Sequence, residues 1–126
     1  MGKNNGISPR LSRDRALSAV VEKNREVEEE PREKGIILTY QVVYKPWFAR
    51  LARRMGLAGD QARTKRLELD AMGRAVWDMV DGRRTVKNIV DKFERDFQVL
   101  PAEAEASVTV FLRELGKRGL VGMREK

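Results

Sequence analysis

The chain contains no cysteine and no histidine in 126 residues. Without cysteine there is neither a disulfide framework nor a thiolate metal site. Without histidine the commonest general base and the commonest metal ligand are both missing. No apolar run approaches the roughly 18 residues that a membrane helix needs. The opening MGKNNGISPR has no apolar signal core, so the expected location is the cytoplasm, with no membrane partner. Phosphate-cradling loops are missing too, because Gly56-Leu57-Ala58-Gly59 is short and lacks the Lys-Ser/Thr ending. Carboxylates are plentiful but fall in no recognisable acid–base constellation. The expectation is a non-enzyme with no catalytic residues, no metal and no cofactor.

What is present suits one modest domain, since 41% of the residues are apolar. The net charge is +7, and its distribution says more than its size. Residues 1–44 carry 8 basic and 7 acidic side chains, and residues 67–126 carry 11 of each. Residues 45–66 carry 7 basic side chains against a single acid, Asp60. A local excess of this kind marks a place where something anionic approaches.

The stretch from Arg66 to Thr85 organises the rest. Leu67 and Leu69 end a short strand, Asp70 suits a helix N-cap, and Gly82 suits the left-handed residue that closes a helix. Between them Met72, Ala75, Val76, Met79 and Val80 recur at three- and four-residue steps, with Trp77 as the expected centre of the core. Thr85 starts a second helix with an apolar stripe of Val86, Ile89, Val90, Phe93 and Phe97. Pro101 suits the first position of a third helix, striped by Ala104, Val108, Phe111, Leu112 and Leu115. Gly119 stops it. Its basic end, Arg113, Lys117 and Arg118, suits the negative end of the helix dipole.

Upstream, residues 1–11 read as a tail, and Ser12 as the cap of a short helix running through Val21. The acidic run around Val27 to Glu30 reads as a solvent-facing edge strand rather than a metal site, with a turn at Pro31–Gly35. GIILTYQVVY, from Gly35, is the most strand-like run and is expected at the centre of a small antiparallel sheet. Residues 63–69 form the next strand, with Leu67 and Leu69 facing the helices. Residues 46–62 exceed what a hairpin needs and read as a helical insertion, with Phe48, Leu51, Ala52 and Met55 on its apolar face. Its bland reading is packing on this sheet or on a second copy; a docking face for an acidic partner and an anionic membrane surface are the alternatives. The fold class is therefore α+β and winged-helix-like: a three-stranded antiparallel sheet followed by a three-helix bundle. Residues 1–25 would form a tail and short helix, and 26–126 the domain.

A three-stranded sheet leaves two edges of unpaired N–H and C=O groups. Strand 63–69 reads as one of them, beside the third helix, unless the tail at Leu120–Met123 covers it. An extended peptide can add there as a further strand. Leu67, Leu69, Val108, Phe111 and Leu112 are the candidate receptors for its apolar anchors, and Arg63, Lys65 and Arg66 would attract an acidic segment.

The run LELDAMGRAVWDMVDGRRTVKNIVDKFERDF, with the later Phe111-Leu112 and Gly119-Leu120, resembles the PqqD-like family, also called RiPP precursor peptide recognition elements. The resemblance rests on Leu69, Asp70, Gly73, Val76, Trp77, Asp81, Gly82, Thr85, Val86, Ile89 and Leu115, and covers about half the chain. It implies a domain that binds the leader of a ribosomally made precursor peptide as an added strand beside the third helix, with residues 64–69 as the pairing strand and 102–118 as the helix. It also implies a partner enzyme, often of the radical SAM class, that receives the peptide. Two departures stand out. The insertion at 46–62 lies outside the minimal pattern, and Asn88 replaces a common Glu at the start of the second helix. A homodimer through the insertion or an open strand edge is a further expectation.

The alternative is a winged-helix nucleic-acid-binding protein, which the positive charge permits. Against it, the third helix opens Ala102-Glu103-Ala104-Glu105, placing acids where phosphates need donors.

Overall fold

A computed structural model of the chain describes residues 9–43, 54 and 62–125. The elements run α1 (Pro9–Leu17), β1 (Val20–Lys23), β2 (Glu28–Pro31), β3 (Ile36–Val43), β4 (Ala62–Leu69), α2 (Ala71–Met79), α3 (Val86–Phe97), α4 (Pro101–Lys117) and β5 (Val121–Arg124). The strands make two sheets. One is the expected antiparallel sheet, in the order β2-β3-β4, and the other is a ribbon of β1 and β5. The reading of an α+β fold with a three-stranded sheet followed by helices therefore holds.

β3 takes the centre because its residues bury on both faces. Ile36, Leu38 and Tyr40 enter the core on one side, and Ile37 is buried on the other. It pairs with β2 from Glu28↔Thr39 to Pro31↔Ile36, and with β4 from Ile36↔Leu69 to Val43↔Ala62. Gly35 is required at the turn: a Cβ there would run into the Leu69 carbonyl oxygen. Arg74 of α2 donates from Nη1 to the carbonyls of Arg32 and Gly35, each at 3.0 Å, and fixes that turn to the helix.

The helices form where their caps and stripes place them. Asp70 Oδ1 accepts from the Gly73 N–H at 2.8 Å and starts α2. Thr85 and Asn88 start α3 with a reciprocal box: Asn88 N–H donates to Thr85 Oγ1 at 3.1 Å, and Thr85 N–H to Asn88 Oδ1 at 3.0 Å. Asn88, the departure from the family pattern, thus fills the capping role itself. Pro101 is the first residue of α4. Trp77, Ile89, Leu112 and Leu115 are fully enclosed, and Val86 and Phe93 pack in the same core. Trp77 Nε1 has no hydrogen-bond partner among the described residues, and Lys23 Nζ lies 4.5 Å above the ring centroid.

Three expectations are corrected. The segment through Val21 is not helical to its end, because Val20 and Val21 are buried in β1, which pairs with β5 in the register Val20↔Arg124 to Lys23↔Val121. On its other side β1 meets the loop after α2: Val21 N–H donates to Arg84 O, and Gly82 N–H donates to Val21 O. Residues 9–11, read as tail, belong to α1, and residues 1–8 lie outside the described residues. Gly82 is left-handed, with φ +78°, but α2 has already ended at Met79. Its conformation lets that loop lie along β1, where Asp81 Oδ1 accepts from the N–H groups of Arg83 and Arg84. The helical insertion at 46–62 falls outside the described residues, apart from exposed Arg54 and from Ala62, which is a strand residue paired with Val43.

Candidate functional site

β4 is an outer strand of its sheet, and among the described residues nothing pairs with its second edge. The tail at 121–124 is engaged elsewhere, with β1. Alternation along β4 sends Lys65, Leu67 and Leu69 to the face shared with the helices and Thr64, Arg66 and Glu68 to the other. Leu69 is buried in the core, Leu67 is half-buried against it, and Lys65, Arg66 and Glu68 are exposed. Arg66 reaches Glu30 of β2 at 3.8 Å. The side chain of Arg63 lies outside the described positions, although its backbone pairs with Val42.

Beside the end of β4 is a cavity of about 380 Å³. Leu69, Met72, Gly73, Val76, Phe93, Val108 and Phe111 give it apolar walls, and Glu68, Asp70 and Ser107 give it a polar rim. β4, α2 and α4 converge at Gly73, where even a Cβ would touch Leu69 and Phe111. Of the predicted anchor receptors, Leu69, Val108 and Phe111 line it. Leu67 does not, and packs against the core edge.

Leu112 is the correction among the candidates. It is 0% exposed, one helical step from Phe111 but turned inward among the core residues, and so offers no surface to a ligand. Met72 and Val110 were missed by sequence reasoning; they are 42% and 51% exposed, on the first turn of α2 and on α4 next to Phe111. The sequence places Met72 on the stripe of Val76 and Met79, and its exposure reflects its position in the first turn of α2, at the rim of the core.

A second cavity, of about 560 Å³, lies between α1, α3 and the start of α4. Its walls are held by a two-pronged pair in which Arg13 Nε and Nη2 each donate to Glu105 at 2.6 Å. That guanidinium holds the Glu105 carboxyl below the usual carboxylate range. In this region Lys87 is paired with Asp91, and nearby Lys92 with Asp96. The cations there are already satisfied by the chain's own acids. Among the described residues no group of three Asp or Glu converges as a metal site, and no helix is long and apolar enough to cross a membrane.

Comparison with known proteins bears on the same region. The family model for coenzyme PQQ synthesis protein D (PqqD) matches residues 60–121, which include β4, α2, α3 and α4. No curated protein matches the chain. Among solved structures, TbiB1 in complex with the TbiA(beta) leader peptide has a similar fold, with a TM-score of 0.55 and 17% identity. The similarity covers 79% of this chain and 93% of that one. The stretch similar to PqqD thus runs over residues 60–121, from β4 to the first residue of β5.

Proposed function

We propose that the chain is a non-catalytic adaptor. It takes the leader segment of a ribosomally made precursor peptide as an added strand on β4, and presents the remainder to a modifying enzyme. The observation that carries this is the β4 edge, unpaired among the described residues and running into an apolar cavity beside α4. Main-chain hydrogen bonds to the edge would supply affinity, and the cavity would supply selectivity. Two comparisons support the reading: the PqqD match over the same elements, and the shared fold with TbiB1, whose structure includes a leader peptide.

Lys65, Arg66, Leu67, Leu69, Val108 and Phe111 form the peptide site, with Met72 and Val110 extending it, and Arg63 contributes charge. A radical SAM enzyme, or another peptide-modifying enzyme, is the partner, and the complex works in the cytoplasm. The same edge would serve a homodimer, although the like charges at Lys65 and Arg66 oppose two β4 strands meeting.

The experiment is hydrogen exchange on the chain with and without the leader of a precursor peptide encoded beside its gene. Slower exchange at 62–69, with β2 unchanged, is the expected result. Exchange unaltered at β4 under saturating peptide would overturn strand addition there.

A further inference from the structure

The groove has two chemically different ends. At one, Leu69, Met72, Gly73 and Phe111 enclose apolar space. A Cβ at Gly73 would meet Leu69 Cβ at 3.2 Å, Asp70 Oδ1 at 3.4 Å and Phe111 Cζ at 3.4 Å. The contact with Leu69 Cβ is tighter than ordinary packing, and that with Phe111 Cζ is at its limit. A side chain at 73 would therefore take up room between Leu69 and Phe111 on the wall of the cavity. At the other end Lys65 pairs with Tyr40 across the β3–β4 ladder. Arg118, at the end of α4, brings Nη1 to 3.4 Å from Tyr40 Oη. Directly opposed residues share a face, so Lys65 and Arg118 flank one phenol on the helix side of the sheet.

The two walls also agree in length. Leu69 to Lys65 is four residues, about 13 Å at the rise of a strand. Phe111 to Arg118 is seven residues, about 10 Å at the rise of a helix. Both walls thus pass from apolar to cationic over a similar interval.

Given strand addition at β4, we infer that the groove reads a two-point pattern. A large apolar side chain sits against Leu69, Met72, Gly73 and Phe111, and an acidic side chain four residues away faces Lys65 and Arg118. The interval is the same for either direction of the added strand, because paired strands share one rise. A slip of one residue turns the carboxylate to the opposite face. The occupant is an extended acidic peptide with one bulky apolar anchor, and Gly73 sets the size of that anchor.

Synthetic peptides of about ten residues, long enough to span the interval, test this by fluorescence anisotropy on the full chain. They are built from Thr and Ser and carry one Phe and one Glu, in either order, spaced by four residues or by three. Two controls replace Glu by Lys or Phe by Val. The four-residue Glu peptide should bind roughly two- to fivefold more tightly than the three-residue and Lys peptides. Lys65→Glu should reverse the preference between Glu and Lys. Gly73→Ala should weaken the Phe peptide by about tenfold and leave the Val peptide nearly unchanged, a difference that general destabilisation does not produce. Equal affinity for both spacings, with no response to Lys65→Glu, overturns the two-point pattern and leaves strand addition standing. If no peptide binds while circular dichroism shows a folded chain, strand addition and the pattern fall together.

Discussion

The two outer strands of the sheet, β2 and β4, are unlike in every respect that governs pairing. β2 is four residues long, exposed throughout, acidic at Glu28, Glu29 and Glu30, and ends in Pro31. Short length, charge and proline are the usual protections of an open edge. β4 is eight residues long, buries Leu69, and runs into a cavity, while its exposed cations Lys65 and Arg66 carry the opposite sign. Charge guards both edges against a second copy of themselves, but only β4 combines an extended ladder with somewhere to put a side chain. One sheet thus holds a guarded border and, in the proposed function, a receptive one.

The largest expected effect removes the contrast altogether. Trp77→Ala opens a cavity in the core beneath both sheets and should cost about 3–5 kcal/mol; denaturant unfolding measures it. Gly35→Ala comes next. Its methyl group would collide with the Leu69 carbonyl, where backbone must move, and overpacking of this kind costs about 1–3 kcal/mol. The melting temperature should fall, and hydrogen exchange should rise at the β3–β4 end nearest the cavity.

Proline substitutions sharpen the comparison. In an antiparallel pair, successive residues turn their main-chain groups alternately toward and away from the partner. Of Arg66→Pro and Leu67→Pro, one should therefore lower stability and the other should weaken peptide binding, each by about 0.5–1.5 kcal/mol for one lost hydrogen bond. Glu29→Pro, on β2, should leave affinity unchanged in calorimetry. Undiminished affinity in both folded β4 variants would place the peptide elsewhere.

The smallest effect concerns pH. Hydrogen bonds from the Arg84 and Arg83 N–H groups hold the Asp81 carboxyl below its ordinary value, and Arg13 does the same for Glu105. A carboxyl depressed on folding binds fewer protons folded than unfolded, so its contribution is present above the ordinary carboxylate range and is lost as pH falls through the folded value. Asp81→Asn should melt lower than the parent at neutral pH, and the difference should shrink in acid. Thermal melts across that range check it. Peptide affinity at β4 should not follow Asp81, which lies in the loop along β1.

The helices and strand β4 were legible in the chain because their signals are local. Asp70, Thr85 and Pro101 mark starts, and the stripes through Trp77, Ile89 and Leu115 mark buried faces. The β1–β5 ribbon was not, since Val20 and Val21 continue the helical spacing of Ala16 and Leu17 and find their partners about a hundred residues away. Local periodicity favoured a helix; burial against the distant β5 decided for a strand. At the site, the α4 stripe identified Phe111 and Leu112 as equals. Only packing against α2 and β4 separates half-buried Phe111 from enclosed Leu112, and brings Gly73 against the Phe111 ring.

The small ribbon has a bearing on any attempt to borrow the proposed binding surface. The matched segment, 60–121, contributes one member to each sheet, β4 to the larger and the first residue of β5 to the smaller, while β1, β2 and β3 all precede it. Excised alone, it would leave Leu69 and Trp77 facing water where upstream residues now shield them. A transplant of the recognition surface into another scaffold must therefore bring along the polypeptide from Val20 onward.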